Sequence, residues 1–122
     1  MKQPPLVLIV DDDPAISTML ARALTRSGFR AESTASPDEA LARAAKGGYD
    51  AALLDVVMPE KDGVALATAL RELIPGLPIG LLTGYRNSPL VATAERVGAA
   101  VFAKPVVIHE IVDYLKERLA RP

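Results

Sequence analysis

Ala51-Ala52-Leu53-Leu54-Asp55-Val56-Val57-Met58-Pro59-Glu60-Lys61-Asp62-Gly63 is the stretch whose reading decides the fold. It opens with an unbroken apolar run, the pattern of a strand buried on both faces, and the run stops at a carboxylate. An acid is costly inside a core, so Asp55 is expected at the C-terminal mouth of that strand. Met58-Pro59 breaks the strand, because the residue before a proline is pushed into extended or turn geometry. Asp62-Gly63 closes the loop, and Leu66, Leu70 and Leu73 then recur at helical spacing. In an open parallel sheet, ligands bind outside the carboxyl ends of the strands, which is where this reading puts Asp55.

The same grammar repeats on both sides. Leu6-Val7-Leu8-Ile9-Val10 is another β-branched run, ending in Asp11-Asp12-Asp13. Asp13-Pro14 fits an N-cap followed by proline at the first helical position, with Ile16, Met19, Leu20, Ala23 and Leu24 on the helix's apolar stripe. Arg30 to Thr34 is short and polar, the signature of an edge strand, and Ser36-Pro37 starts a second helix over Ala40, Leu41, Ala44 and Ala45. Beyond the central strand and helix, Pro78-Ile79-Gly80-Leu81-Leu82 reads as a fourth strand ending at Thr83-Gly84. Ser88-Pro89 opens a fourth helix (Leu90, Val91, Ala94, Val97), and Ala100-Val101-Phe102-Ala103 is a fifth strand ending at Lys104-Pro105. The last helix carries Ile108, Ile111, Val112, Leu115 and Leu119. Five strands alternating with five helices predict right-handed crossovers and a doubly wound parallel sheet covered on both faces.

Composition narrows the function classes. The 122 residues are expected to form a single domain, 1–122. Hydrophobic residues make up 50% and the net charge is −1 with the two signs interspersed, so no nucleic-acid or anionic-membrane surface is expected. Cysteine is absent, which excludes a disulfide framework and a thiolate metal site. No apolar stretch approaches the roughly 20 residues of a membrane span, and Met1-Lys2-Gln3-Pro4-Pro5 does not read as a signal peptide, so the expected location is cytoplasmic.

Four of the five strands end in groups able to do chemistry: Asp11 and Asp12, Asp55, Thr83, and Lys104. Parallel strands share one carboxyl edge, so these groups should converge there. Carboxylates brought together repel unless a cation joins them, and an all-oxygen set favours a hard ion such as Mg²⁺. A metal, a lysine and a hydroxyl around one carboxylate nucleophile form a phosphoryl-transfer site.

With Val10-Asp11-Asp12, Asp55 followed by Met58-Pro59 and Asp62-Gly63, Thr83-Gly84 and Lys104-Pro105, the chain resembles the receiver domain of a two-component response regulator. The resemblance runs from residue 6 to about 120. It implies a flavodoxin-like five-stranded sheet of order 2-1-3-4-5 with five helices. It also implies that Asp55 takes a phosphoryl group from a histidine kinase or phosphotransfer protein. Asp11, Asp12 and Asp55 would hold Mg²⁺ with the backbone carbonyl of Val57. Lys104 would pair with the phosphoryl group, and Thr83 would hydrogen-bond one of its oxygens. Such a domain catalyses only its own phosphorylation and dephosphorylation and signals to an effector domain or protein, with a homodimer through the fourth and last helices as a further expectation.

Some positions depart from the family pattern. Receivers usually carry Tyr or Phe three residues before the lysine; here that residue is Val101, and Phe102 beside it points to the opposite face of its strand. The active state is therefore expected to be read through the Thr83–Asn87 loop and the fourth helix. Val57 and Tyr85, which flank the hydrolytic water's path in the family, predict a slowly hydrolysing aspartyl phosphate. His109 reads as a surface or packing residue, and Val107 with Tyr114 as a candidate partner surface. Two other readings stay open. Asp11-x-Asp13 has the nucleophile–acid spacing of a haloacid-dehalogenase-like phosphatase, against which stand Pro14 and an Asp55 left without a role. A degenerate receiver serving as a docking module is the other, against which stand the intact Asp55, Thr83 and Lys104.

Overall fold

In the computed structural model, residues 3–55, 63–84, 92, 95–96 and 98–119 are described. Strands β1 (Leu6–Val10), β2 (Arg30–Thr34), β3 (Ala51–Asp55), β4 (Ile79–Thr83) and β5 (Ala100–Ala103) form one parallel sheet in the order β2-β1-β3-β4-β5. The described helices are α1 (Pro14–Arg26), α2 (Pro37–Ala45), α3 (Gly63–Leu73) and α4 (Ile108–Leu119). Most of the expected fourth helix lies outside the described residues, though residues 92, 95 and 96 are helical. The last helix is thus α4.

Central position explains the unbroken apolar runs. Strand β3 has neighbours on both sides and all five of its residues are buried, as are those of β4. Alternate side chains feed two cores. Leu8, Val10, Ala52, Leu54, Ile79 and Leu81 pack with α2 and α3, while Val7, Ile9, Leu53 and Leu82 pack with α1 and α4. Strand β2, at one edge, leaves Arg30, Glu32 and Ser33 exposed and buries only Thr34, as its polar sequence predicts.

Helix starts follow their caps. Asp13 accepts a hydrogen bond from the Ala15 N–H at 2.9 Å, and Ser36 accepts one from Glu39 at 3.2 Å, each with proline next in sequence. A cap of this kind contributes about 1 kcal/mol. The apolar stripes are narrower than expected. Leu20 and Leu24 are fully buried on α1 but Met19 is 40% exposed, and on α3 Leu66 and Leu70 are buried while the terminal Leu73 is 46% exposed. Both exceptions lie outside the contact strip that the sheet can cover. Among the described residues, no helix is long and apolar enough to cross a membrane.

Candidate functional site

Register brings the candidate groups to one edge. Val10 pairs with Leu54, so Asp11 comes level with Asp55 as β1 and β3 end side by side. Asp55 pairs with Leu82, and Thr83 with Ala103, after which the chain passes straight to Lys104. The Lys104 N–H donates to the Thr83 carbonyl at 2.8 Å, extending the β4–β5 ladder by one bond. On the far side, the Asp11 N–H donates to the Thr34 carbonyl of β2 at 3.2 Å.

Carboxylate oxygens of Asp11, Asp12 and Asp55 all lie within 4.8 Å of one another. Asp11 and Asp55 are buried and Asp12 is exposed, so the cluster has a deep side and a wet side. Lys104 Nζ stands 3.1 Å from Asp55 Oδ1 in a half-buried ion pair. Thr83 is buried at the same edge. The Lys104–Pro105 peptide bond is cis.

One atom of this cluster is left over. Asp11 Oδ1 accepts the Asp13 N–H at 2.9 Å, but Asp11 Oδ2 is buried with no hydrogen-bond partner among the described residues. Burial pushes the Asp11 carboxyl above its ordinary value, with the negative charges of Asp55 and Asp12 acting the same way against the Asp13 N–H and Lys104. A buried unsatisfied acceptor typically costs 1–3 kcal/mol, and such groups in a native fold commonly await an ion or water. Three carboxylates against one ammonium, all-oxygen donors and an orphaned buried oxygen together fit a hard divalent cation.

Asp13, third of the acidic run, is spent on the cap of α1 and is exposed. Val57 and Tyr85, and the loop from Tyr85 to Asn87, lie outside the described residues. Phe102 packs inward on the α1–α4 face, and Val101 packs against the α2–α3 face. His109 is exposed. Tyr114 corrects the expected partner surface. It is half-buried, stacks edge-to-face on Phe102 with ring centroids 5.5 Å apart, and donates its hydroxyl to the Ile79 carbonyl at 3.3 Å. Only Val107 of that pair is exposed. Gly80 carries a sequence signal of its own: a glycine inside a strand marks a close approach, here that of Phe102.

The 2-1-3-4-5 order gives the domain a flavodoxin-like doubly wound fold, with the acidic cluster and Lys104 at the carboxyl edge of its sheet. The family model of the response regulator receiver domain matches residues 7–116, and the chain belongs to that family. It is 36% identical over 118 residues to the transcriptional regulatory protein PrrA of Mycobacterium tuberculosis, covering 96% of this chain and 51% of the relative. It is also 34% identical over 114 residues to the C4-dicarboxylate transport transcriptional regulatory protein DctD of Rhizobium meliloti, covering 93% of this chain and 25% of that one. The chain therefore spans about half the length of the first relative and a quarter of the second. Among solved structures, it resembles a CheY-like receiver domain protein from Methanospirillum hungatei (TM-score 0.89, 30% identity, 96% of this chain and 94% of that one). Chemotaxis protein CheY4 of Vibrio cholerae is similar too, with a TM-score of 0.85 and 32% identity over 95% of this chain and 99% of its own.

Proposed function

We propose that this receiver accepts a phosphoryl group on Asp55 from the phosphohistidine of a histidine kinase or phosphotransfer protein. The observation that carries the reading is the Asp55 carboxylate at the centre of the cluster, paired to Lys104 at 3.1 Å on one side and within 4.8 Å of Asp11 and Asp12 on the other. An Asp55 oxygen attacks phosphorus as the nitrogen–phosphorus bond of the donor breaks, and the leaving imidazole keeps the electron pair. Lys104 follows the charge from the carboxylate to the phosphoryl oxygens, and the Thr83 hydroxyl donates to one of them. Asp11, Asp12, Asp55 and the Val57 carbonyl would hold Mg²⁺, which would supply a further offset to negative charge at this edge.

The chain turns over no external substrate; it catalyses its own phosphorylation and dephosphorylation and passes the change to an effector. PrrA and DctD are transcriptional regulatory proteins, and a transcriptional effector is proposed here too. Self-association through the fourth and last helices belongs to the same proposal. Sedimentation with and without beryllofluoride tests it, and an unchanged coefficient rejects it.

The phosphatase reading is weakened by one contact. The Asp13 carboxylate, which would have to serve as acid, accepts the Ala15 N–H as a helix cap. Incubation with acetyl phosphate and Mg²⁺ tests all readings at once. Intact-mass measurement should show one added phosphoryl group in the wild type and none in Asp55→Ala. Label on Asp11 would transfer the case to the phosphatase, and no label at all would leave a docking module.

A further inference from the structure

Strand β5 has four residues, one neighbouring strand and no fully buried side chain, yet it delivers Lys104 to the site. The ammonium reaches Asp55 at 3.1 Å only if β5 keeps its place against β4. A charge that must meet a reacting group needs its supporting side chains locked to within about 0.5 Å. The ladder alone has an open edge and cannot supply that.

Two aromatic side chains supply it from the face covered by α1 and α4. Phe102 lies over Gly80 of β4, so closely that a Cβ at residue 80 would stand 2.8 Å from its Cε2 and 3.2 Å from its Cδ2. Tyr114 of α4 meets the Phe102 ring edge-on, with centroids 5.5 Å apart and planes at 69°. Its hydroxyl donates to the carbonyl of Ile79, the residue before Gly80, at 3.3 Å. Tyr114 thus holds β5 through its ring and β4 through its hydroxyl. It spans the one seam that joins Lys104's strand to the rest of the sheet. On the opposite face Val101 offers only a short branched side chain.

The geometry points to Phe102 and Tyr114 as positioning residues for Lys104. They fix β5 over Gly80 and so set the distance between the Lys104 ammonium and the Asp55 carboxylate. For its kinetic consequence this rests on the proposed roles of Asp55 and Lys104. For the resting ion pair it does not.

The matched control is Tyr49, whose hydroxyl donates to Glu32 Oε1 at 2.6 Å on β2, the other edge strand. The experiment compares wild type, Tyr114→Phe, Phe102→Leu and Tyr49→Phe in the full chain. Two quantities are read: the NMR signals of the Lys104 ε-methylene and ammonium in the unphosphorylated protein, and the rate of acetyl phosphate labelling with saturating Mg²⁺. Misplacement by 1 Å can cost about 10²-fold in rate, and a lysine stem recovers part of that, so a loss of about 3- to 10-fold is expected. Tyr114→Phe and Phe102→Leu should shift the Lys104 signals and slow labelling, while Tyr49→Phe should do neither. Unmoved Lys104 signals in Tyr114→Phe, or an equal shift in Tyr49→Phe, would overturn the inference. Shifted signals with an unchanged labelling rate would overturn its kinetic part. A wild type that takes no label rejects the proposed function, and the Lys104 signals then decide this inference by themselves.

Discussion

Strands β2 and β5 close the two edges of one sheet, and each is tied down by a tyrosine, but the ties differ in kind. At β2 the bond runs from Tyr49 to the Glu32 side chain, with the Arg43 guanidinium 3.9 Å from the same carboxylate and paired to Glu39. That network is half-exposed and charged, the sort of decoration that also discourages another chain from adding to a sheet edge. At β5 the tie is ring against ring, with the hydroxyl on a backbone carbonyl. Strand β2 lends the site one backbone carbonyl, whereas the residue after β5 lends it a charged side chain. An edge that only completes the fold can be held by polar side chains at the surface. One that must place a charge is held by packing.

The largest expected effect lies between the edges, on the central strands. Asp11 and Asp12 follow β1 directly and Asp55 ends β3, so Mg²⁺ should stabilise the chain through its central strands. A hundredfold excess over its dissociation constant contributes about 2.7 kcal/mol, read as a rise in melting temperature. Tyr49→Phe and Tyr114→Phe should leave that rise intact, and Asp11→Asn should shrink it. A tyrosine variant that loses the Mg²⁺ response would break the separation of centre from edges.

Next in size, Gly80→Ala forces a Cβ to 2.8 Å from Phe102 Cε2 and 2.9 Å from Leu53 Cδ2. Overpacking of this kind costs about 1–3 kcal/mol, measurable by urea denaturation. Unchanged stability would mean that β5 is not seated on β4 as described. Smaller again, Tyr49→Phe and Tyr114→Phe each remove one hydrogen bond, about 0.5–1.5 kcal/mol. The two losses should add, because the hydroxyls share no partner. A double variant departing from the sum would show that the two edges communicate.

The smallest effect is on alkaline stability. Burial pushes both phenols above their ordinary value of about 10, with Glu32 adding to the shift at Tyr49. The fold therefore favours the neutral phenols: their contribution is intact below pH 10 and is lost as pH rises through the raised values. Denaturation midpoints should fall above pH 10, and each Tyr→Phe change should blunt the fall. Equal pH profiles for all variants would show that neither hydroxyl is as sheltered as its contacts imply.

Strand positions were legible because a parallel strand buried on both faces writes an unbroken apolar run, as in Leu6–Val10 and Ala51–Leu54. The convergence of Asp11, Asp55 and Lys104 followed from topology alone, since parallel strands end at one edge. The role of Tyr114 was not legible. Its place off the apolar stripe of α4 is that of a surface residue, and its partner is a backbone carbonyl 35 residues away, which leaves no mark in side-chain pattern. Met19 and Leu73 failed in the other direction, because helical periodicity reports a stripe without reporting its width.

The ion pair between Lys104 and Asp55 joins residues 49 positions apart, and this gives the site a history during synthesis. Asp11, Asp12 and Asp55 leave the ribosome at least 49 residues ahead of Lys104. At about 5–20 residues per second, the interval lasts about 2–10 s. A nascent chain that pairs β1 with β3 in that time gathers three negative charges before their ammonium has emerged. Early pairing is thereby discouraged unless a divalent cation intervenes, and the last strand to emerge is the one that makes the sheet's acidic edge tolerable.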